Sequence, residues 1–225
     1  MLANNLANSG TGGFKLDREF YGLFSGGTGG AIEGESDTML PVIQKQWTDF
    51  SQGTLQPTGN PLDLAITGKG FFAVNGPSGT LYTRNGSFKV TADGTLTTQE
   101  GYAVSGGGAP IQVPEKTAIT VGTDGTLTQS GNSIGKLELV NFADPTSLGK
   151  MGNSYFVAGA QKPIPADDAE ITQGAVEGSN VTSAESAVRL VGVMRQFEML
   201  SKAISLTSDM DKKTLDEVAR VGPGL

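Results

Sequence analysis

The chain has 225 residues and contains neither cysteine nor histidine, which excludes disulfides, thiol nucleophiles, imidazole bases and Cys/His metal sites. Its 33 glycines, about twice average usage, together with 10 prolines point to a turn-rich chain, not a mostly helical one. Sixteen Lys and Arg against 23 Asp and Glu, a formal charge of -7, exclude a basic footprint for nucleic acid or anionic membrane and favour protein partners.

Residues 1–40 open with a short apolar and Asn-rich piece, Met1 to Asn8, which lacks the charged and apolar regions of a cleaved secretory signal. A stretch bearing Gly10, Gly12, Gly13, Gly22, Gly26 and Gly27 follows and reads as extended or mobile, because glycine loses the most conformational freedom on ordering. Over 41–173 short apolar and β-branched runs such as Phe71 to Val74, Thr80 to Arg84, Ile119 to Val121 and Gly135 to Phe142 alternate with turn dipeptides. Asn75-Gly76, Asn85-Gly86, Asp93-Gly94 and Asp124-Gly125 tolerate positive φ and close hairpins. This pattern predicts an antiparallel all-β domain. Asp93-Gly94-Thr95-Leu96-Thr97 recurs as Asp124-Gly125-Thr126-Leu127-Thr128, which predicts two similar hairpins in one sheet. One recurrence does not make a solenoid.

After Asn180 the texture changes. Ala187, Leu190, Met194, Phe197, Leu200 and Ile204 recur at helical spacing. Asn180 and Ser183 are candidate N-caps, and Gly222-Pro223-Gly224 ends the run. A helix of about 40 residues would be about 60 Å long, beyond what a small β-domain covers, so its stripe requires partner helices. Met1 to Asn8 is too short to serve, which leaves other subunits or a segment outside this sequence. The fold class expected is thus mainly β with a long C-terminal α-helix, over 1–40, 41–173 and 174–225.

Motifs that imitate chemistry have plainer readings. Gly68-Lys69-Gly70 with Ala73 imitates a dinucleotide fingerprint, but the residues that follow read as a strand, not the required helix. Asp167-Asp168 and Asp209 with Asp211 lack the ligand ladder of a calcium loop. Asn85-Gly86-Ser87 and Asn180-Val181-Thr182 match the glycosylation triplet but fall at a turn and a helix start. Trp47 would serve as a ligand platform only in a carbohydrate- or peptide-binding β-module; a lone Trp is more often a core or interface anchor.

Several blocks together resemble the flagellar basal-body rod and hook proteins of bacteria. Ala3-Asn4-Asn5-Leu6-Ala7-Asn8 followed by Thr11-Gly12-Gly13-Phe14-Lys15 is similar to the N-terminal signature of that family. Asp49 to Leu55, Thr58 to Ile66, Gly70 to Val74 and Tyr82 to Phe88 match its next blocks. Gln173 to Val181 and Arg195-Gln196-Phe197-Glu198 match its C-terminal signature. The compact β-domain, Gly108 to Pro114 and the long helix resemble a proximal-rod member, with a distal-rod member as the alternative.

The resemblance implies an axial structural protein without catalytic, cofactor or metal residues. Its partners would be other rod subunits and the flagellar type III export apparatus, with no nucleic acid and no small-molecule substrate, and its place the basal-body rod. Leu190, Met194, Phe197, Leu200 and Ile204, with Leu6 and Phe14 of the N-terminal signature, are the expected assembly interface. Family members carry further helix before the first signature, the partner that the length of the C-terminal helix calls for.

Overall fold

The computed structural model describes residues 1–25, 39–114 and 118–221. The extended or mobile stretch expected across 26–38 and the helix stop at 222–224 lie outside the described residues. The chain divides at Thr182/Ser183 into a β-rich unit and a helical unit. The β-rich unit takes in the N-terminal residues, so it reaches beyond the expected 41–173 at both ends.

A short helix, α1 (Leu2–Ala7), precedes β1 (Leu16–Ser25) and β2 (Met39–Asp49). These two strands form an antiparallel ribbon, from Leu16 opposite Asp49 to Ser25 opposite Met39, with a bulge between Phe20 and Tyr21. Strand β1 departs from the expected mobile segment. Its ten residues contain a single glycine and are rich in strand-forming types, a signal masked by the glycines on either side.

The next strands are β3 (Leu55–Pro57), β4 (Leu64–Thr67), β5 (Phe71–Gly76), β6 (Gly79–Thr83), β7 (Phe88–Val90), β8 (Leu96–Thr98), β9 (Ala103–Gly106) and β10 (Ala109–Pro110). They are followed by β11 (Ile119–Val121), β12 (Thr126–Gln129), β13 (Asn132–Lys136), β14 (Leu139–Asn141), β15 (Gly149–Met151), β16 (Tyr155–Val157), β17 (Ile164–Pro165), β18 (Glu170–Gln173) and β19 (Ala175–Glu177). The largest sheet orders β15-β16-β6-β5-β9-β8-β7, with β10 on β9, β14 on β5 and β17 on β14. A second sheet is β11-β12-β13, and β4–β18 and β3–β19 are separate pairs.

Strand β5 explains the core. Successive residues of a strand face opposite sides, and Phe71, Phe72, Ala73 and Val74 are all buried. Phe72 and Val74 join one cluster with Leu81, Leu96, Ile111 and Leu127. Phe71 and Ala73 join the other with Tyr82, Phe142 and Phe156. The central strand is therefore covered on both sides, as its unbroken apolar run requires, and each enclosed Phe or Leu contributes roughly 1.5–3 kcal/mol.

The echoed motifs build the same turn. Thr91 N–H donates to Thr95 O at 3.0 Å and Gly94 N–H to Thr91 O at 3.0 Å; Gly122 N–H donates to Thr126 O at 2.9 Å and Gly125 N–H to Gly122 O at 3.0 Å. Gly94 and Gly125 carry φ of 80° and 85°. The expectation of one shared sheet is corrected: the first leads into β8 of the large sheet and the second into β12 of the three-stranded one. Local turn chemistry sets the hairpin, while the apolar partners of Leu96 and Leu127 set the sheet it joins.

The Gly68-Lys69-Gly70 segment is a turn between β4 and β5, with Gly68 at φ 93°, so no helix opens there. The segment expected as one strand over 135–142 is broken into β13 and β14, which belong to different sheets. The second unit is α2 (Ser183–Val221), 39 residues long. Glu185 in its first turn suits the positive end of the helix dipole and bonds Arg189 one turn on at 2.7 Å.

Candidate assembly interface and terminal junction

Along α2 the expected stripe is open to solvent. Phe197 and Ile204 are each 70% exposed; Met194 and Leu200 are exposed as well, and Leu190 is half-buried. Apolar surface of this extent gains about 25 cal/mol per Å² when covered. Leu6, on α1, is half-buried. Phe14 stands apart: it is wholly enclosed by its own chain, with Lys150 Nζ 3.9 Å from its ring centre. Its position offers no surface to a neighbour, which corrects the expectation that it sits in an interface.

Phe14 instead introduces a junction where the two terminal signatures meet. Lys15 Nζ lies 2.5 Å from Glu177 Oε1, both side chains fully buried, and donates to Ser51 O at 2.7 Å. Arg84 Nη1 reaches Glu177 Oε2 at 3.1 Å, and Arg84 Nη2 donates to Gly68 O at 2.6 Å. The backbone completes the knot, with Gly13 N–H on Glu177 O at 2.8 Å and Gly53 N–H on Glu177 Oε1 at 2.9 Å. Gly13 has φ 67°, and a Cβ there would sit 2.3 Å from Asn85 N, so only glycine permits this approach.

Asn5 and Asn180 extend the knot. Asn5 Nδ2 donates to Asp17 O at 2.9 Å while Asp17 N–H donates to Asn5 Oδ1 at 3.1 Å, docking α1 on the start of β1. Asn180, expected to cap α2, instead accepts from Leu16 N–H at 2.8 Å and donates to Asp49 O at 2.8 Å. Three residues later in the chain α2 begins.

Two cations and one carboxylate share this dry site. Burial pulls both Lys15 and Arg84 below their ordinary pKa values, and the Glu177 charge opposes the fall in each. Arg84 Nε is enclosed without a hydrogen-bond partner. Nearby, burial pushes Asp49 up, but hydrogen bonds from Ser51 and the charge of Arg18 outweigh it and hold the carboxyl below its usual range. Breaking such a buried network leaves a bare charge, at a cost of about 3–5 kcal/mol.

Sequence reasoning grouped Lys15, Arg84 and Glu177 only as members of matching blocks and assigned them no role. Trp47 is half-buried, with the Arg18 guanidinium 5.8 Å from its ring centre. One groove of about 500 Å³ is lined by Leu139, Ile164, Pro165 and their neighbours without an aromatic ring, so it lacks a stacking platform for sugars. Among the described residues no three His, Cys, Asp or Glu cluster as metal ligands.

Comparison with known proteins accords with this geometry. Residues 65–129 match the flagellar hook protein FlgE/F/G D1 domain family, and residues 172–217 match the flagellar basal body rod FlgEFG protein C-terminal family. The chain is 32% identical over 224 residues to the flagellar basal-body rod protein FlgF of Caulobacter vibrioides, covering 98% of this chain and 91% of the relative. It is 36% identical over 223 residues to FlgF of Mesorhizobium japonicum, covering 95% and 90%. To the rod protein FlgG of Buchnera aphidicola subsp. Schizaphis graminum it is 32% identical over 243 residues, covering 95% and 91%. A chain whose signatures at both ends close on one buried ion cluster, and which aligns with these relatives almost throughout, belongs to the flagellar basal-body rod protein family.

Proposed function

We propose that this chain is a structural axial subunit of the flagellar basal-body rod, of the FlgF type, placed in the proximal rod. The observation that carries the reading is the exposed apolar stripe of α2. A 39-residue helix with Met194, Phe197, Leu200 and Ile204 open to solvent is built to be covered by other helices. The β-unit that carries the junction ends at Thr182, and the helix begins at Ser183. Torque transmission through packed helices, with neighbouring rod subunits as partners, follows from this arrangement. Delivery through the flagellar type III export apparatus belongs to the same reading.

Phe197→Asp tests it. The residue is 70% exposed, so the variant folds, which circular dichroism of the purified chain verifies. In an assembled rod the new carboxylate would be buried without a partner. Expressed in place of the native gene, the variant should accumulate normally yet give cells without rods that do not swim. Swimming at the wild-type rate would sink the reading.

A further inference from the structure

The apolar stripe at Phe197 does not exhaust the non-polar surface of α2. A second line, Met199, Ala203, Leu206 and Met210, follows the alternating four- and three-residue spacing of a coiled-coil seam. Its large members are open too, Met199 at 64%, Leu206 at 56% and Met210 at 68%. One partner helix covers one stripe about 100° wide, so a helix packed on the Phe197 side leaves this line bare.

The charges beside the line identify what fits it. Arg195, Lys202, Asp209 and Asp216 recur every seven residues along one flank, two cations followed by two anions. All four are exposed, and among the described residues none forms an ion pair within its own helix; the helix's single pair is Glu185 with Arg189. A second copy laid antiparallel inverts the order. Met199 then meets Met210 of the copy and Ala203 meets Leu206, with the two-fold axis between Ala203 and Leu206. In that register Arg195 faces Asp216 and Lys202 faces Asp209, each pair occurring twice by symmetry. In a parallel pair the same flank meets Leu200, Thr207 and Thr214 and finds no charge.

We infer that the Met199–Met210 face of α2 is a self-association surface that pairs two copies of this chain antiparallel. A two-fold pair of this kind is closed and cannot propagate along an axis. It is a state of two chains in solution, which hides one apolar line. The inference does not rest on the rod reading, and the test uses residues away from Phe197.

The chain has no cysteine, so single thiols report orientation. Met199→Cys and Met210→Cys chains, one carrying a tag, are mixed and oxidised with the dimer fraction measured by sedimentation. Antiparallel pairing gives the mixed 199–210 disulfide in preference to either self-disulfide. Lys202→Asp should weaken dimerisation about tenfold by setting like charges opposite each other, and adding Asp209→Lys should restore it. A preference for the 199–199 disulfide would overturn the inference in favour of parallel pairing. A monomer up to about 100 μM would overturn it in favour of a different helix as occupant. A double charge reversal that fails to rescue would overturn the antiparallel register.

Discussion

Glu177 lies between Lys15, at 2.5 Å, and Arg84, at 3.1 Å, with all three side chains shut off from water. One anion thus holds two cations, and the three cannot be removed at equal cost. Glu177→Gln leaves two enclosed positive charges and should cost about 3–5 kcal/mol. Lys15→Met removes one charge, leaves a balanced pair, and should cost distinctly less. Urea unfolding followed by circular dichroism measures both; equal losses would mean that packing, and not charge balance, controls the site.

The limits of the β-unit make a second prediction. Strand β3 pairs with β19, and Glu177 binds Lys15 from outside 41–173. A 1–182 fragment should therefore unfold in one cooperative transition, while a 41–173 fragment should lose the junction and melt far lower or not cooperatively. Matching melts would show the junction to be dispensable for the fold.

Gly13→Ala forces a side chain into a φ of 67° and against the backbone of Asn85, which predicts a loss of about 1–3 kcal/mol. Gly10 has nothing within 4 Å of an added Cβ, so Gly10→Ala should be close to neutral. Thermal melts of the two variants give the comparison directly.

Tyr155 predicts the alkaline response. Its hydroxyl donates to Glu100, its ring meets Tyr102 edge-on at 5.3 Å, and burial, followed by the Glu100 hydrogen bond, raises its pKa well above the ordinary 10.0. The folded chain keeps this proton where the unfolded chain has lost it. The contribution is therefore fully present below about pH 10 and is lost as pH rises above it. Tyr155→Phe keeps the ring and removes the titration, so the stability gap between wild type and variant should narrow as pH rises above about 10 in urea melts. A gap that does not change with pH would refute the assignment.

Much of the architecture was legible because it is periodic. The Phe71 to Val74 run declared a strand, and the spacing of Leu190, Phe197 and Ile204 declared α2. Strand β1 was hidden because neighbouring glycines diluted its pattern, although Leu16 to Ser25 read alone is strand-like. The buried ion cluster was not legible from local pattern. Lys15, Arg84 and Glu177 stand in different elements, and no periodicity links a charge to a partner that folding alone brings near. Phe14 was misplaced for a related reason: an aromatic residue inside a signature reads equally as a contact surface or as an anchor, and only enclosure separates the two.

The junction also sets an order of events. Lys15 and Glu177 are 162 positions apart along the chain, and Leu16 and Asn180 are 164 apart. The entropy of closing such loops grows only logarithmically with length, yet contacts of this separation belong to the slow end of folding. The first signature cannot settle until the last has arrived, whichever end of the polypeptide becomes free first. The β-hairpins can form early and locally, while the two terminal signatures lock together in one late step. A subunit halted short of its final fifty residues would keep most of its sheet and still have no fixed ends.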